Sequence, residues 1–155
     1  MRILIITVSD TRTEATDSSG ASMESKLIAA GFQCERAWIA DERSAVTQQV
    51  ESENLCDVLM FTGGTGVAPR DVTIESITPL LDKTLDGFGE AFRRLSWDQI
   101  GPRSILSRAL AGTRQGKVII ALPGSVKAVD LALDAILIPL LEHMVRLARG
   151  EKHGH

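Results

Sequence analysis

Short unbroken apolar runs recur along this chain, each followed by a polar loop and then by apolar positions at helical spacing. Ile3, Leu4, Ile5, Ile6 and Val8 form the first run, apolar on both faces as a strand buried between helices must be. A polar segment, residues 9–19, follows. Over residues 20–30, Met23, Leu27 and Ala30 fall on one helical face, with Ser18 or Ser19 available as the cap and Gly31 as a left-handed stop. Residues 32–39 read as a second strand, and Asp41 with Glu42 opens a helix carrying Val46 and Val50. Residues 58–61 are a third apolar run. It closes on Thr62-Gly63-Gly64-Thr65-Gly66, after which Ile74, Ile77 and Leu81 mark a helix beginning near residues 71–73.

The second half is less regular. Residues 86–95 read as a loop with two glycines leading into a short helix through Ala91, Phe92 and Leu95, ended by Gly101-Pro102. Another short helix is expected over residues 104–110. Residues 118–122 are a strand broken by Pro123-Gly124, Ser125 then caps a helix bearing Val129, Leu133 and Ile136, and a last helix surrounds residues 140–148. Buried strands alternating with amphipathic helices predict the α/β class: a mostly parallel central sheet covered on both faces, a three-layer α/β/α sandwich. With 155 residues the chain makes one domain, here residues 1–150, with a polar tail at 151–155.

Composition narrows the function classes. Hydrophobic residues are 44% and charged residues 24%, which excludes a disordered or fibrous chain. The net charge of −3 leaves no field to attract nucleic acid or an anionic membrane, so an anionic ligand must be held locally. No stretch has the ~18 to 20 apolar residues of a membrane span. Residues 1–8 run into Ser9, Asp10, Thr11 and Arg12 without a cleavage pattern, so the expected compartment is the cytoplasm. Cys34 and Cys56 have no ligand-like neighbours and read as buried thiols.

Ligands of open parallel sheets bind beyond the carboxyl ends of the strands, where three loops stand out: residues 9–19, 62–73 and 123–127. In the second, Gly63, Gly64 and Gly66 either turn their N–H groups inward around an anion, with Thr62 and Thr65 adding hydroxyls, or simply make a tight turn. The Walker pattern fails at Gly112 to Gly116, where three residues and not four separate the glycines and Lys117-Val118 follows, and the dinucleotide fingerprint fails because it would need glycine where Pro69 stands. Asp41 and Asp71 follow two strands on one rim. They either share one Mg²⁺ completed by phosphate oxygens and water or cap their helices. Arg70 is a phosphate clamp or a partner for Asp71, and Ser125 a ligand contact or a cap. Ser9 and Asp10, like Arg12, Asp17 and Ser18, offer donors and acceptors in the first loop, which a solvated turn explains equally. His143 has no partner at ligand spacing, and His153 and His155 read as a frayed terminus.

The blocks Thr62-Gly-Gly-Thr-Gly-Val-Ala-Pro-Arg-Asp-Val-Thr73, Gly87-Phe-Gly-Glu-Ala-Phe-Arg-Arg-Leu-Ser96, Ile105-Leu-Ser-Arg-Ala109 and Leu122-Pro-Gly-Ser125 fall in the order seen in the molybdenum cofactor biosynthesis family, which the chain resembles over nearly its whole length. The resemblance includes protein B and the molybdopterin adenylyltransferases, and the Gly-Phe-Gly-Glu block is closer to the former. It implies an α/β/α fold and an enzyme that condenses ATP with molybdopterin, releasing pyrophosphate, with Mg²⁺ as the metal. Matched motif by motif, Asp41 and Asp71 become the catalytic metal- and ATP-positioning groups. Thr62, Gly63, Gly64, Thr65 and Gly66 become the pterin and phosphate contacts, and Pro123, Gly124 and Ser125 the second ligand loop. Ser9, Asp10 and Arg70 join the ligand-binding set. It further implies a homo-oligomer, trimer or hexamer. A molybdopterin-binding or scaffolding protein of the same pathway, without chemistry, is the alternative.

Overall fold

The computed structural model describes residues 1–152. Six strands form one sheet in the order β2-β1-β3-β6-β5-β4. Strands β1 (Arg2–Val8), β2 (Gln33–Ile39), β3 (Val58–Thr62) and β6 (Lys117–Leu122) run parallel. β5 (Leu110–Arg114) is antiparallel to β6 and to the two-residue strand β4 (Lys83–Thr84). The register aligns Val8 with Ile39, Thr7 with Thr62 and Thr62 with Leu122, so the carboxyl ends of the four parallel strands share one rim. The chain reverses direction across the sheet between β1 and β3, which is where an open sheet leaves a crevice for a ligand.

Strand alternation explains the layers. Ile3, Ile5, Met60 and Ile120 face one side, where they are fully buried beneath α1 (Ser18–Ala29), α4 (Asp86–Ile100), α5 (Val126–Ala132) and α6 (Ile138–Ala148). Ile6, Leu59, Phe61 and Ile119 face the other side, under α2 (Arg43–Glu51) and α3 (Thr73–Ile77). Each such side chain contributes roughly 1.5–3 kcal/mol by leaving water. This is the expected three-layer α/β/α arrangement. His153 and His155 lie outside the described residues.

Several local readings change. The cap of α1 is Asp17, which accepts from Gly20 N–H, and not Ser18 or Ser19, which are already helical. The expected loop at residues 86–95 is the start of one helix that runs to Ile100. Gly89 is needed there for space: a Cβ would stand 2.6 Å from the Arg93 guanidinium and 3.1 Å from the Ala109 carbonyl oxygen. Helix-breaking composition thus marks a close approach. The helix expected over residues 104–110 is a 3-10 turn, Gly101–Leu106, followed by β5. The link from β5 to β6 is a tight hairpin in which Gln115 (φ 48°) and Gly116 (φ 78°) both adopt the left-handed conformation, as a primed two-residue turn requires. The helix after the 62–73 loop is shorter than expected, ending as a 3-10 turn at Leu80, and α5 joins α6 through a π-helical segment, Leu133–Leu137.

Candidate functional site

Four loops meet on the strand-end rim, and each is fixed by backbone or buried polar contacts. Behind the first loop, Asp17 is buried and gathers Thr7 Oγ1 at 2.5 Å, Arg36 Nη2 at 3.0 Å, Trp38 Nε1 at 3.1 Å and Gly20 N at 3.0 Å. Burial pushes its carboxyl up, but hydrogen bonds from Thr7, Gly20 and Arg36 outweigh that and hold it below its ordinary value. Asp17 is therefore a structural fastening of β1, β2 and α1. In front of it, Ser9 Oγ accepts from the N–H groups of Thr11 and Arg12, and Asp10 Oδ1 accepts from Asp41 N at 2.9 Å.

The glycine loop leaves β3 at Thr62, whose hydroxyl donates to Pro123 O at 3.1 Å, while Gly63 N donates to Leu122 O at 3.0 Å. These two bonds tie the second and third loops together. Gly64 holds φ 67°, and a Cβ on it would stand 2.3 Å from Thr73 Oγ1 and 3.1 Å from Asp41 Oδ1. A Cβ on Gly66 would stand 2.7 Å from Asp71 Oδ2. The absent side chains are what let both carboxylates close on the loop. A cavity of about 580 Å³ opens beside it, bounded by residues 63–66, Asp71 and residues 123–125.

Neither aspartate caps a helix. Residue 42 precedes α2 and Val72 precedes α3, each without a side-chain capping bond. Asp71 Oδ2 accepts from Ala68 N at 3.0 Å and closes a turn. Asp41 Oδ1 is buried without a hydrogen-bond partner. Burial raises the Asp41 pKa, the charges of Asp10 and Asp71 raise it further, and Arg70 opposes them. Asp10, Asp41 and Asp71 are thus brought within electrostatic reach of one another, with Asp71 on the cavity wall and Asp41 behind Gly64. Arg70 is exposed at the turn. Ser125 lines the cavity, yet its Oγ accepts from Ala128 N and caps α5, so its hydroxyl is partly committed.

The cavity wall also includes residues that loop reasoning missed. Phe92, Ser96 and Ile100 come from α4, and Arg103 and Ser107 from the turn beyond it. A helix read too short leaves its cavity-facing side incomplete, and the 3-10 turn has no period to reveal which side points inward. Arg108 lies behind the loop, donating from Nε to Gly66 O at 3.0 Å and pairing with Glu75. The thiols stay apart from the site: Cys34 and Cys56 are free, and burial pushes Cys34 up to about 11.

An orphaned carboxylate oxygen that feels the charge of two further carboxylates suits a hard divalent cation. Among the described residues no three His, Cys, Asp or Glu side chains stand together as a metal cage. The donor set fits Mg²⁺ only as that ion is usually held, by one or two carboxylates with water and substrate phosphates completing the shell.

A doubly covered, mostly parallel sheet with a glycine loop and aspartates on one rim is the frame of an α/β ligand-binding domain. Residues 4–143 match the family model described as "Probable molybdopterin binding domain", and the chain belongs to that molybdenum cofactor biosynthesis family. The Molybdenum cofactor biosynthesis protein B of Bacillus subtilis is 46% identical over 157 residues, covering 98% of this chain and 92% of the relative. The crystal structure of a Molybdenum cofactor biosynthesis protein B superimposes with TM-score 0.92 at 40% identity over 96% of both chains. The tungsten cofactor synthesizing protein MoaB from Pyrococcus furiosus gives TM-score 0.82 at 36% identity, again over 96% of both chains. No helix among the described residues is long and apolar enough to cross a membrane.

Proposed function

We propose that the protein adenylylates molybdopterin with ATP in a Mg²⁺-dependent reaction that releases pyrophosphate. The observation that carries this reading is the buried, unpartnered Asp41 Oδ1 set against the same glycine loop that Asp71 closes. A carboxylate oxygen stripped of water and hydrogen bonds is costly unless a ligand meets it.

In the reaction a terminal phosphate oxygen of molybdopterin attacks the α-phosphorus of ATP, a new P–O–P bond forms, and the bond to the β-phosphate breaks as pyrophosphate leaves. Such transfers need positioning and charge neutralisation more than covalent help, and the site offers no activated nucleophile. Thr65 and the amides of Gly64 and Gly66 hold the pterin phosphate, while Thr62 and Gly63, whose hydroxyl and amide are spent on Pro123 O and Leu122 O, fix the loop that presents them; Pro123, Gly124 and Ser125 bound it from the neighbouring loop. Asp41 and Asp71 are the residues that would hold Mg²⁺, whose charge there would offset that of the triphosphate. From the first loop Asp10 holds the Asp41 amide, and Ser9 turns the loop by accepting from the Thr11 and Arg12 N–H groups. Arg70, exposed at the turn and felt electrostatically at Asp41, is placed to meet the triphosphate.

The test is a titration of purified protein with molybdopterin, ATP and Mg²⁺. Pyrophosphate release is expected, and Asp71→Asn is expected to abolish it while leaving pterin binding largely in place. Binding without release from the unaltered protein would reduce the role to carrying molybdopterin, and unchanged turnover in Asp71→Asn would refute that residue's role. Assembly as a trimer or hexamer is supported by the exposed apolar patch of Trp97, Ile100, Ile105 and Leu106 beside the cavity. Light scattering at micromolar concentration reads the subunit number, and a monomer would remove this part of the reading.

A further inference from the structure

Arg108 has no place in the ligand set, yet its guanidinium is almost wholly occupied by the backbone of the ligand loop. Nε donates to Thr65 O at 3.3 Å and to Gly66 O at 3.0 Å, and Nη2 donates to Gly66 O at 2.5 Å. The opposite edge is taken by Glu75 of α3: Nη1 donates to Oε1, and Nη2 lies 3.4 Å from Oε2. One planar fork thus joins the segment between α4 and β5, the glycine loop and α3. Lysine, with a single point charge, cannot copy this.

The direction of those carbonyls has a consequence at the pocket. Across a trans peptide the C=O and the following N–H point opposite ways, so carbonyls drawn to Arg108 turn the N–H groups of Gly66 and Val67 away from it. Arg108 borders a separate cavity of about 330 Å³ on its own side of the loop, shared with Arg43, Pro69 and Glu75, and is absent from the wall of the 580 Å³ cavity that Thr65 and Gly66 line. Asp71 borders both, packed against Gly66 and tied to Ala68 N.

We infer that Arg108, held by Glu75, is the positioning residue that presents the Gly66 and Val67 amides to the phosphate of the ligand and sets Asp71 beside them. It neither touches the ligand nor supplies charge to it; its own charge is satisfied by carbonyls and Glu75. The inference rests on the molybdopterin reading above for its functional consequence and on the hydrogen-bond geometry alone for its effect on the loop.

The test uses the full chain and three variants, Arg108→Met, Arg108→Lys and Glu75→Gln. Molybdopterin affinity is measured by fluorescence titration, and amide hydrogen exchange is followed over residues 63–72. Arg108→Met removes the three contacts to the Thr65 and Gly66 carbonyls and the pair with Glu75, so molybdopterin Kd is expected to rise about tenfold or more and exchange at 63–72 to accelerate by a similar factor. Arg108→Lys recovers part of both, and Glu75→Gln shows a smaller change of the same sign. A merely stabilising residue would lower the folded fraction but leave the Kd of the folded molecules unchanged, and unaltered Kd with unaltered exchange would overturn the inference. If Arg108→Met does not fold, Arg108→Lys carries both measurements. If the unaltered protein binds no molybdopterin, the ligand reading fails; the inference then stands or falls on whether exchange at 63–72 depends on Arg108.

Discussion

Asp41→Asn should move stability and activity in opposite directions. The carboxylate is partly buried, its Oδ1 has no hydrogen-bond partner, and Asp10 and Asp71 add like charge, so its ionised form is held at a cost to the fold. Asparagine keeps a polar atom in the same place and removes only the charge, so the gain is the relief of that charge's burial and repulsion, about 1 kcal/mol at a partly exposed site. In a chain of this size that corresponds to a rise in Tm of ~2–4 °C on neutralising the group. Because the folded pKa lies above the ordinary value, the gain is expected at neutral pH and should vanish as the solution is acidified through that raised pKa, where the native carboxylate is itself protonated. The assay is thermal unfolding of both proteins with and without MgATP, alongside pyrophosphate release with molybdopterin. MgATP at ten times its Kd should add about 1.4 kcal/mol to the unaltered protein and clearly less to the variant, whose turnover should be lost. A variant that melts lower at pH 7, or gains as much from MgATP, would show that Oδ1 has a stabilising partner and no ligand role.

Asp17→Asn leaves the half-buried Arg36 guanidinium with only Glu24, 4.0 Å away, as counter-charge and weakens the bonds to Thr7 and Trp38, and should destabilise the protein by ~3 kcal/mol or more in urea unfolding; less than ~1 would refute a fastening role. Gly64→Ala forces a Cβ to within 2.3 Å of Thr73 Oγ1 at a left-handed φ, and should cost ~1–3 kcal/mol together with molybdopterin affinity; full affinity would mean that the loop is not a contact. Asp17, Asp57 and Glu75 all have pKa values held below the ordinary one, in Glu75 chiefly by the Arg108 hydrogen bond and in the aspartates by bonds that outweigh burial. Their contribution is full above the unfolded values of 3.8 to 4.5 and is lost as the pH falls below them, so the urea midpoint should hold to about pH 5 and then drop; a midpoint flat to pH 3 would remove these groups from the stability of the fold.

The central parallel strands β1, β3 and β6 were legible because they are buried on both sides and so read as unbroken apolar runs, starting and stopping within a residue or two of the pattern. The antiparallel edge was not. Leu110–Arg114 carries glycine, alanine and threonine because Gly112 must admit the Lys83 carbonyl, where a Cβ would stand 2.6 Å away, and that composition resembles a loop. The same confusion of space-making with chain-breaking hid the first turns of α4, whereas Phe92 was legible on a helix and only its place, with Ser96 and Ile100, on the cavity wall was not. Asp41 and Asp71 were visible as polar residues just beyond apolar runs. Their exclusion from capping was not, since a cap is decided by the position of a side-chain oxygen relative to three amides. Arg108 was out of reach for a different reason: its partners are carbonyls, which every residue has.

The cluster around Asp17 also says where this protein can change length. Its bonds to Thr7, Arg36, Trp38 and Gly20 anchor the end of the first loop independently of the path taken from Ser9, whose own amide is fixed to Ile39 O. Insertions between those two anchors would leave the rim of the sheet undisturbed, at only ~0.6 kcal/mol for each doubling of the loop. Related chains can therefore be expected to diverge most freely over residues 11–16, and a tag or reporter segment spliced there should leave the neighbouring pocket intact.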